Sequence, residues 1–160
     1  MSSRFAPRFT FHEDRPMTFA QWSAHVPETI KADTLWRVEA YRLALYLSDF
    51  AWADGAMLLG DRRTLSIADQ LCRAAGNISS NISEGYSRDT GRGRALFYEY
   101  ALGSARETRD WYFKSRNVLP TDLALERINL VTQIIRLLLT MVSNERQTNR
   151  RASSATRPSR

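Results

Sequence analysis

The sequence is poor in the residue types that build disulfides, metal sites and many catalytic centres. Its 160 residues include one cysteine, Cys72, and two histidines, His12 and His25. One cysteine cannot form an internal disulfide, and because Cys72 lies in an apolar helical pattern we predict an inert core thiol. Two histidines in an irregular segment cannot supply a metal cluster or a nucleophile–histidine pair. We therefore predict a protein that is not an enzyme and that has no metal, no cofactor and no catalytic residue.

Long apolar runs are also missing. No stretch approaches the roughly 20 apolar residues that a transmembrane helix needs. Prolines and charged residues interrupt the N-terminal region before an apolar run long enough for a signal peptide could form. We expect a soluble, cytoplasmic protein with one globular domain.

Lysine is nearly absent, with two residues against 21 arginines, and the formal net charge is +6. A surplus of arginine suits phosphate contact, although a GC-rich genome would produce it as well. The surplus is concentrated at residues 145–160, which are polar and poor in apolar side chains. We predict that this segment is a basic disordered C-terminal tail. Its candidate nucleic-acid-binding residues are Arg146, Arg150, Arg151, Arg157 and Arg160.

Residues 1–32 are predicted to form an irregular aromatic N-terminal arm. Pro7, Pro16 and Pro27 argue against a long helix, whereas scattered aromatic residues argue against a fully solvated tail. One short helix fits between Pro16 and Pro27. The sequence leaves open whether the arm packs on its own domain or on a neighbouring subunit.

Residues 33–144 show apolar residues at helical spacing in four blocks. The predicted helices run from the candidate N-cap Asp33 to Leu58, from about Arg62 to Tyr86, from about Arg94 to Asn117, and from Thr121 or Asp122 to about Asn144. Four helices of similar length with short loops predict an all-α fold, an antiparallel up-and-down four-helix bundle. Wide apolar faces on the first and fourth helices suggest self-association through an outer face.

Glycines and aromatic residues refine this prediction for the second and third helices. Gly85 is expected to end the second helix, and Gly91 and Gly93 are expected to delay the third. The apolar face of the third helix is predicted to include Phe97 and Tyr100.

Four polar residues of the second helix, Arg73, Asn77, Asn81 and Glu84, are spaced at i, i+4, i+8 and i+11 and therefore share one side. They could line a groove for a ligand or RNA. They could instead form a structural polar network that fixes how this helix pairs with its neighbours, and this is the interpretation we favour.

Three arginines, Arg88, Arg92 and Arg94, follow that helix among glycines. Guanidinium groups beside a helix N-terminus can bind phosphate, because their N–H donors and the free backbone N–H groups point the same way. The alternative is a solvated loop. We predict nucleic-acid binding by these three residues. Glu84 could reach this cluster or an arginine on a neighbouring helix.

The segments QLCRAAGNISSNISEGYSR and FYEYALGSARE resemble a known family, the 23S rRNA intervening-sequence proteins, and LWRVEAYRLALYL resembles the opening helix of that family. The resemblance covers about residues 33–143. The matching positions are Gln70, Arg73, Ala74, Ala75, Ile78, Asn81, Ile82, Glu84, Gly85, Tyr86, Arg88, Phe97, Ala101, Gly103, Ser104 and Glu107.

This resemblance implies an antiparallel four-helix bundle that assembles as a homopentamer. The family includes accessory variability determinant proteins of diversity-generating retroelements, basic pentamers that bind nucleic acid and a reverse transcriptase. It therefore implies RNA or DNA, and a reverse transcriptase, as partners. The competing hypothesis is a protein-interaction scaffold whose aromatic arm, with Phe9, Phe11 and Trp22, contacts an unknown partner.

Overall fold

The computed structural model describes residues 17–155, and every regular element in this range is helical. Two short helices, α1 (Phe19–His25) and α2 (Glu28–Lys31), precede four long ones. The long helices are α3 (Glu39–Leu58), α4 (Leu65–Tyr86), α5 (Gly91–Ser115) and α6 (Thr121–Ala155), with 3₁₀ helices at Thr34–Arg37 and Arg62–Thr64. The prediction of an all-α fold is confirmed for these residues.

Helices α3 to α6 pack as a bundle in which consecutive helices run antiparallel. The Cys72 thiol of α4 donates a hydrogen bond to the Ala51 carbonyl of α3 at 3.3 Å. Ala51 lies seven residues before the end of α3 and Cys72 seven residues after the start of α4, as an antiparallel pair requires. The core combines apolar side chains from all four helices, and its fully buried members include Leu47, Leu58, Leu71, Ile78, Ile82, Ala105, Tyr112, Ile134 and Leu138. In the part of the chain that the structure describes, no helix is both long and apolar enough to cross a membrane.

Side-chain caps define where several helices begin. Asp33 accepts a hydrogen bond from the Leu35 N–H at 2.8 Å, as its predicted capping role requires. It opens the 3₁₀ helix rather than α3, which begins six residues later at Glu39. Thr90 caps α5 by accepting from the Gly93 N–H at 3.1 Å.

The predicted role of the glycines is wrong. Gly85 lies inside α4 and is buried against α5, where a Cβ would come within 2.8 Å of the Tyr98 ring. Gly91 and Gly93 lie in the first turn of α5, and no described residue has a positive φ. Because Thr90 supplies the cap, the helix starts at Gly91 rather than after the glycines. Gly85 therefore permits close packing of two helices and does not end one.

Helix α6 also departs from prediction, because it continues through Ala155 instead of fading near Asn144. Two ion pairs hold its last turns against the start of α5: Arg94 Nε lies 3.0 Å from Glu145 Oε2, and Arg146 Nη2 lies 2.5 Å from Glu99 Oε1. The prediction of a disordered tail is wrong for residues 145–155. Residues 156–160 lie outside the described residues.

The described part of the N-terminal arm, residues 17–32, packs on its own bundle. Trp22 is buried, donates a hydrogen bond from Nε1 to Asp49 Oδ2 of α3 at 2.6 Å, and packs on the Tyr46 ring at a centroid distance of 5.3 Å. The predicted short helix is α1, and Thr18 and Gln21 form a capping box at its start. Residues 1–16, with His12, Phe9 and Phe11, lie outside the described residues.

The buried face of α5 agrees with the predicted one at Ala101, Ala105, Thr108 and Tyr112 but differs in its first turns. Tyr98, Ala101, Leu102, Ala105 and Tyr112 point into the core. Tyr100 is 52% exposed, so its predicted place in the core is wrong. The cause is that Gly85 makes room for Tyr98, which lies against α4.

Candidate nucleic-acid interface

The end of α4, the start of α5 and the last turns of α6 meet at one end of the bundle. A surface groove of about 520 Å³ lies between α5 and α6 there, lined by Thr90, Arg92, Gly93, Ala95, Leu96, Glu99, Arg146 and Asn149. A depression sharing Arg92, Arg146 and Asn149 is completed by Arg150. The fold thus brings together arginines that are more than fifty residues apart in the sequence.

Gly91, the first residue of α5, lies close to side chains of α6. A Cβ at Gly91 would lie 2.9 Å from Asn149 Oδ1 and from Glu145 Oε2. A larger residue would require these two side chains to move. Asn149 of α6 lies beside Gly91, the first residue of α5. Residues 150–155 of α6 therefore continue past the N-terminal end of α5.

Arg94 holds the helices together and has little capacity for a ligand. Besides its ion pair with Glu145, its Nη1 donates to the carbonyl oxygens of Arg88 at 3.1 Å and Asp89 at 3.2 Å. The hydrogen bond to Glu145 raises the pKa of the Arg94 guanidinium above its ordinary value. Arg94 therefore shapes the interface without contributing a free charge.

Two further arginines have partners that a ligand could share. Arg88 forms an ion pair with Glu84, and its guanidinium lies over the Phe97 ring, 4.5 Å from the centroid. The predicted contact between Glu84 and this cluster is confirmed. Arg146 is exposed and pairs with Glu99 in the groove wall. Both ion pairs are exposed to solvent, where such pairs are weak.

Arg92, Arg150 and Arg151 are exposed, and among residues 17–155 their guanidinium groups have no ion-pair or hydrogen-bond partner. They are the charges available to an anion. Arg157 and Arg160, which the sequence also placed in this group, lie outside the described residues. Sequence reasoning missed Glu99 and Asn149, since only the tertiary packing of α5 on α6 reveals them.

Among the described residues, the four polar side chains predicted to form an interhelical network on α4 have local partners. Arg73 contacts Gln70 and Asp69, the Asn81 amide donates to the Asn77 carbonyl at 2.8 Å, and Glu84 pairs with Arg88. On a helix, partners three or four residues away are the nearest ones. With Glu107 of α5, Arg73 and Asn77 line a separate shallow groove of about 500 Å³.

A buried polar centre between α3, α5 and α6 was not predicted. Asp54 Oδ2 accepts from Arg127 Nε at 3.0 Å and from the Tyr112 hydroxyl at 2.9 Å. The Arg127 guanidinium lies 3.5 Å from the centroid of the Phe50 ring. Burial raises the pKa of the Asp54 carboxyl above its ordinary value, and Arg127 and Tyr112 partly offset the rise. Arg127 also pairs through Nη1 with the partly exposed Glu126 at 2.8 Å. Asp54, Tyr112 and Arg127 are all buried, so this centre joins three helices and is closed to a ligand.

Metal binding has no visible site in the described residues, since no three His, Cys, Asp or Glu side chains are grouped suitably there. The Cys72 thiol is partly buried, and burial raises its pKa above the ordinary value. The arrangement at the basic end can bind anions through its exposed guanidinium groups.

Fold and surface together define an all-α helical-bundle protein with a basic end. The chain belongs to the 23S rRNA-intervening sequence protein family, whose model matches residues 56–140. This match includes Arg88, Arg92 and Arg94 and stops before the groove residues of α6. No curated protein has a sequence that matches the chain.

The fold is similar to that of a protein of unknown function from the S23 ribosomal protein family of Bacteroides thetaiotaomicron. The TM-score is 0.60 at 18% sequence identity, and the match covers 64% of this chain and 97% of that chain. Identity at this level shows a shared fold alone. About a third of this chain lies outside the match.

Proposed function

We propose that the protein is a non-enzymatic, homo-oligomeric bundle that binds the phosphates of RNA or DNA through its basic end. The observation that carries the proposal is the exposure of Arg92, Arg150 and Arg151 on one end of the bundle without partners among the described residues. Other arginines of the same cluster are engaged in ion pairs, so the free charges are distinct from the structural ones.

Arginine is suited to this role because its planar guanidinium can donate two parallel hydrogen bonds to one phosphate. Binding of this kind releases counterions and does not read bases, so affinity should depend strongly on salt and weakly on sequence. Because residues 150–155 extend past the start of α5, these charges can reach a ligand larger than the groove itself.

Self-association is part of the proposal. Trp52 on α3 is 77% exposed, and Met57 and Leu59 near the end of the same helix are also exposed. A large aromatic side chain in water is a common feature of a surface that a partner covers. The family resemblance favours a homopentamer, which would multiply the basic ends available to one nucleic acid. Native mass spectrometry of the purified chain measures the number of subunits directly.

A role as accessory to a reverse transcriptase follows from the same resemblance and is the narrower form of the proposal. It predicts co-purification with a reverse transcriptase encoded nearby. The competing scaffold hypothesis loses one candidate contact, because Trp22 is buried against Tyr46 and Asp49. It retains Phe9 and Phe11, which lie outside the described residues.

The proposal is tested by fluorescence anisotropy with a labelled RNA and a double variant, Arg92→Gln with Arg150→Gln. The matched control is Arg62→Gln with Arg116→Gln, which removes the same charge from exposed positions at the other end of the bundle. Arg62 lies at the opposite end of α4, which is about 33 Å long. We expect at least a ten-fold loss of affinity for the first variant and less than a two-fold change for the control. Equal losses of RNA affinity in the two variants would mean that the arginines act only through the general surface charge, which would contradict the proposal.

A further inference from the structure

An aromatic surface continues directly from the basic groove along α5. Arg92, Leu96, Tyr100 and Gly103 are spaced at i, i+4, i+8 and i+11 and all are exposed, so they share one solvent-facing side of the helix. Arg92 and Leu96 belong to the groove wall, and Tyr100 follows one turn further on. The axial distance from Arg92 to Tyr100 is about 12 Å, so a short ligand can touch both.

The Tyr100 ring is supported on one side and open on the other. Phe97 meets it edge to face, with centroids 5.6 Å apart and planes at 84°. Arg88 in turn lies over the Phe97 ring. Side chains on a helix lean toward its N-terminus, which directs Tyr100 toward the basic end of α5. This support fixes the ring without covering it, since 52% of the residue remains exposed.

Gly103 keeps the other flank of the ring clear. It is exposed one turn after Tyr100, and no atom of the described residues lies within 4 Å of the position of its missing Cβ. Packing within the chain therefore does not require glycine there. A glycine inside a helix costs roughly 0.5–1 kcal/mol relative to alanine. The absence of a side chain leaves room for a flat group to lie on this side of α5.

Phosphate-binding arginines and an exposed aromatic ring on one surface suit a particular form of nucleic acid. In a duplex the bases are stacked inside and the surface presents phosphates. Arginines can bind these phosphates without an aromatic side chain. In a single strand the bases are free to stack on aromatic side chains while the phosphates follow a basic groove. We propose that the ligand is single-stranded nucleic acid, with phosphates at Arg92, Arg146 and Arg150 and a base stacked on Tyr100.

This inference rests on the proposed function, and it adds the kind of strand and a base-contacting residue. The positive charge beside the aromatic pair favours a nucleic-acid occupant over an apolar one. Arg88 lies over the Phe97 ring, and the groove that contains Arg92 begins one turn before Tyr100, at Leu96. A second copy of this basic chain would bring like charges together at this surface.

The test measures anisotropy with a labelled oligodeoxythymidine of about 20 nucleotides, alone and annealed to its complement, against full-length protein. Tyr100→Ala should weaken binding to the single strand by about 5- to 100-fold. It should leave duplex affinity within two-fold, and Tyr100→Phe should restore single-strand affinity because the ring is kept. Since no phosphate contact is lost, the salt dependence should stay unchanged.

Phe113→Ala is the matched control. Phe113 is an exposed ring near the other end of α5, and Arg116 lies over it at 3.9 Å from the centroid, so it carries the same pairing of ring and guanidinium away from the groove. We expect no change in single-strand affinity. Circular dichroism checks that each variant remains helical.

The outcomes separate this inference from the proposed function. If Arg92→Gln with Arg150→Gln weakens binding but Tyr100→Ala does not, the stacking role is wrong and the phosphate role stands. If wild-type protein binds neither strand form, both are wrong. Equal losses on single strand and duplex, or a change in subunit number on Tyr100→Ala, would assign Tyr100 to a structural or interface role and overturn the inference.

Discussion

Arg127 Nε of α6 donates a hydrogen bond to Asp54 Oδ2 of α3 at 3.0 Å, across 73 residues of sequence, and both residues are 3% exposed. The Tyr112 hydroxyl of α5 donates to the same oxygen. Three of the four long helices are therefore joined at one buried carboxylate. A charge so deeply buried is tolerated only because each group has partners.

Removal of that carboxylate should destabilise the bundle strongly. Asp54→Asn removes the buried counter-ion of Arg127 and leaves only the half-exposed Glu126, so we expect a loss of about 3 kcal/mol in the free energy of unfolding. Urea denaturation followed by circular dichroism measures it. The matched control is Asp69→Asn, which breaks an exposed contact with Arg73 and should change stability by less than about 0.5 kcal/mol. Similar values for both variants would show that the buried pair has no special role.

Tyr112 gives a prediction for alkaline pH. Burial, together with the neighbouring Asp54 carboxylate, raises the pKa of the Tyr112 phenol well above its ordinary value of 10.0. A group whose pKa is raised by folding binds its proton more tightly in the folded state. The contribution of protonated Tyr112 to the free energy of unfolding is therefore complete below about pH 10 and decreases as the pH rises above that value.

The comparison of wild type with Tyr112→Phe isolates this effect. At pH 8 the variant should be less stable by about 1 kcal/mol because it lacks the hydrogen bond to Asp54. Between pH 10 and 11 the difference should shrink, because the unfolded wild type ionises Tyr112 in this range while the folded protein keeps the proton. Tyr100→Phe, at an exposed position, should show no such change with pH. A difference for Tyr112→Phe that stays constant from pH 8 to 11 would contradict the assignment.

Replacement of Trp22 and of Trp52 by alanine should have contrasting effects on the stability of the subunit. Trp22→Ala removes a buried ring that anchors α1 to α3, so we expect a loss of about 3 kcal/mol in stability and faster proteolysis near residues 19–25. Trp52→Ala removes an exposed ring and should leave the stability of the subunit nearly unchanged while reducing the subunit number in native mass spectrometry. An unchanged subunit number would remove Trp52 from the proposed interface.

Two glycines inside helices should also respond oppositely to alanine. At Gly85 a Cβ would lie 2.8 Å from Tyr98 and 3.0 Å from the Phe97 Cβ, so Gly85→Ala should destabilise the bundle by about 1–3 kcal/mol. At Gly103 the same atom meets none of the described residues, so Gly103→Ala should stabilise the subunit by about 0.5–1 kcal/mol. Thermal unfolding of the two variants and the wild type measures both changes in stability. Destabilisation by Gly103→Ala would mean that a subunit or ligand already occupies that space.

The helical class, the approximate positions of the four long helices and the capping role of Asp33 were predictable because they depend on local sequence. Apolar spacing places each long helix, and Asp33 caps where its side chain predicts. Tertiary contacts determined the rest. Residues 145–155 resemble a disordered tail in composition, yet Glu145 and Arg146 pair with residues of α5 and the segment is helical.

The candidate site was predicted in part for the same reason. Arg92 and Arg150 could be recognised as candidates by their type, but which arginines remain free depends on where Glu84, Glu99 and Glu145 lie in the fold. The four polar residues that share one side of α4 were expected to contact other helices, but their contacts among the described residues are local. Regular spacing shows that residues share a side of a helix, but it does not show whether that side faces a neighbour or water.

The central claim is that exposed arginines at one end of the bundle bind nucleic-acid phosphates, and the slope of log K against log salt tests it most directly. Each phosphate neutralised on a single strand contributes about −0.7 to the slope, so three free arginines predict about −2 or steeper for the wild type. Arg92→Gln with Arg150→Gln should make the slope shallower by about 1.4. A shallow slope that the double variant leaves unchanged would contradict the claim.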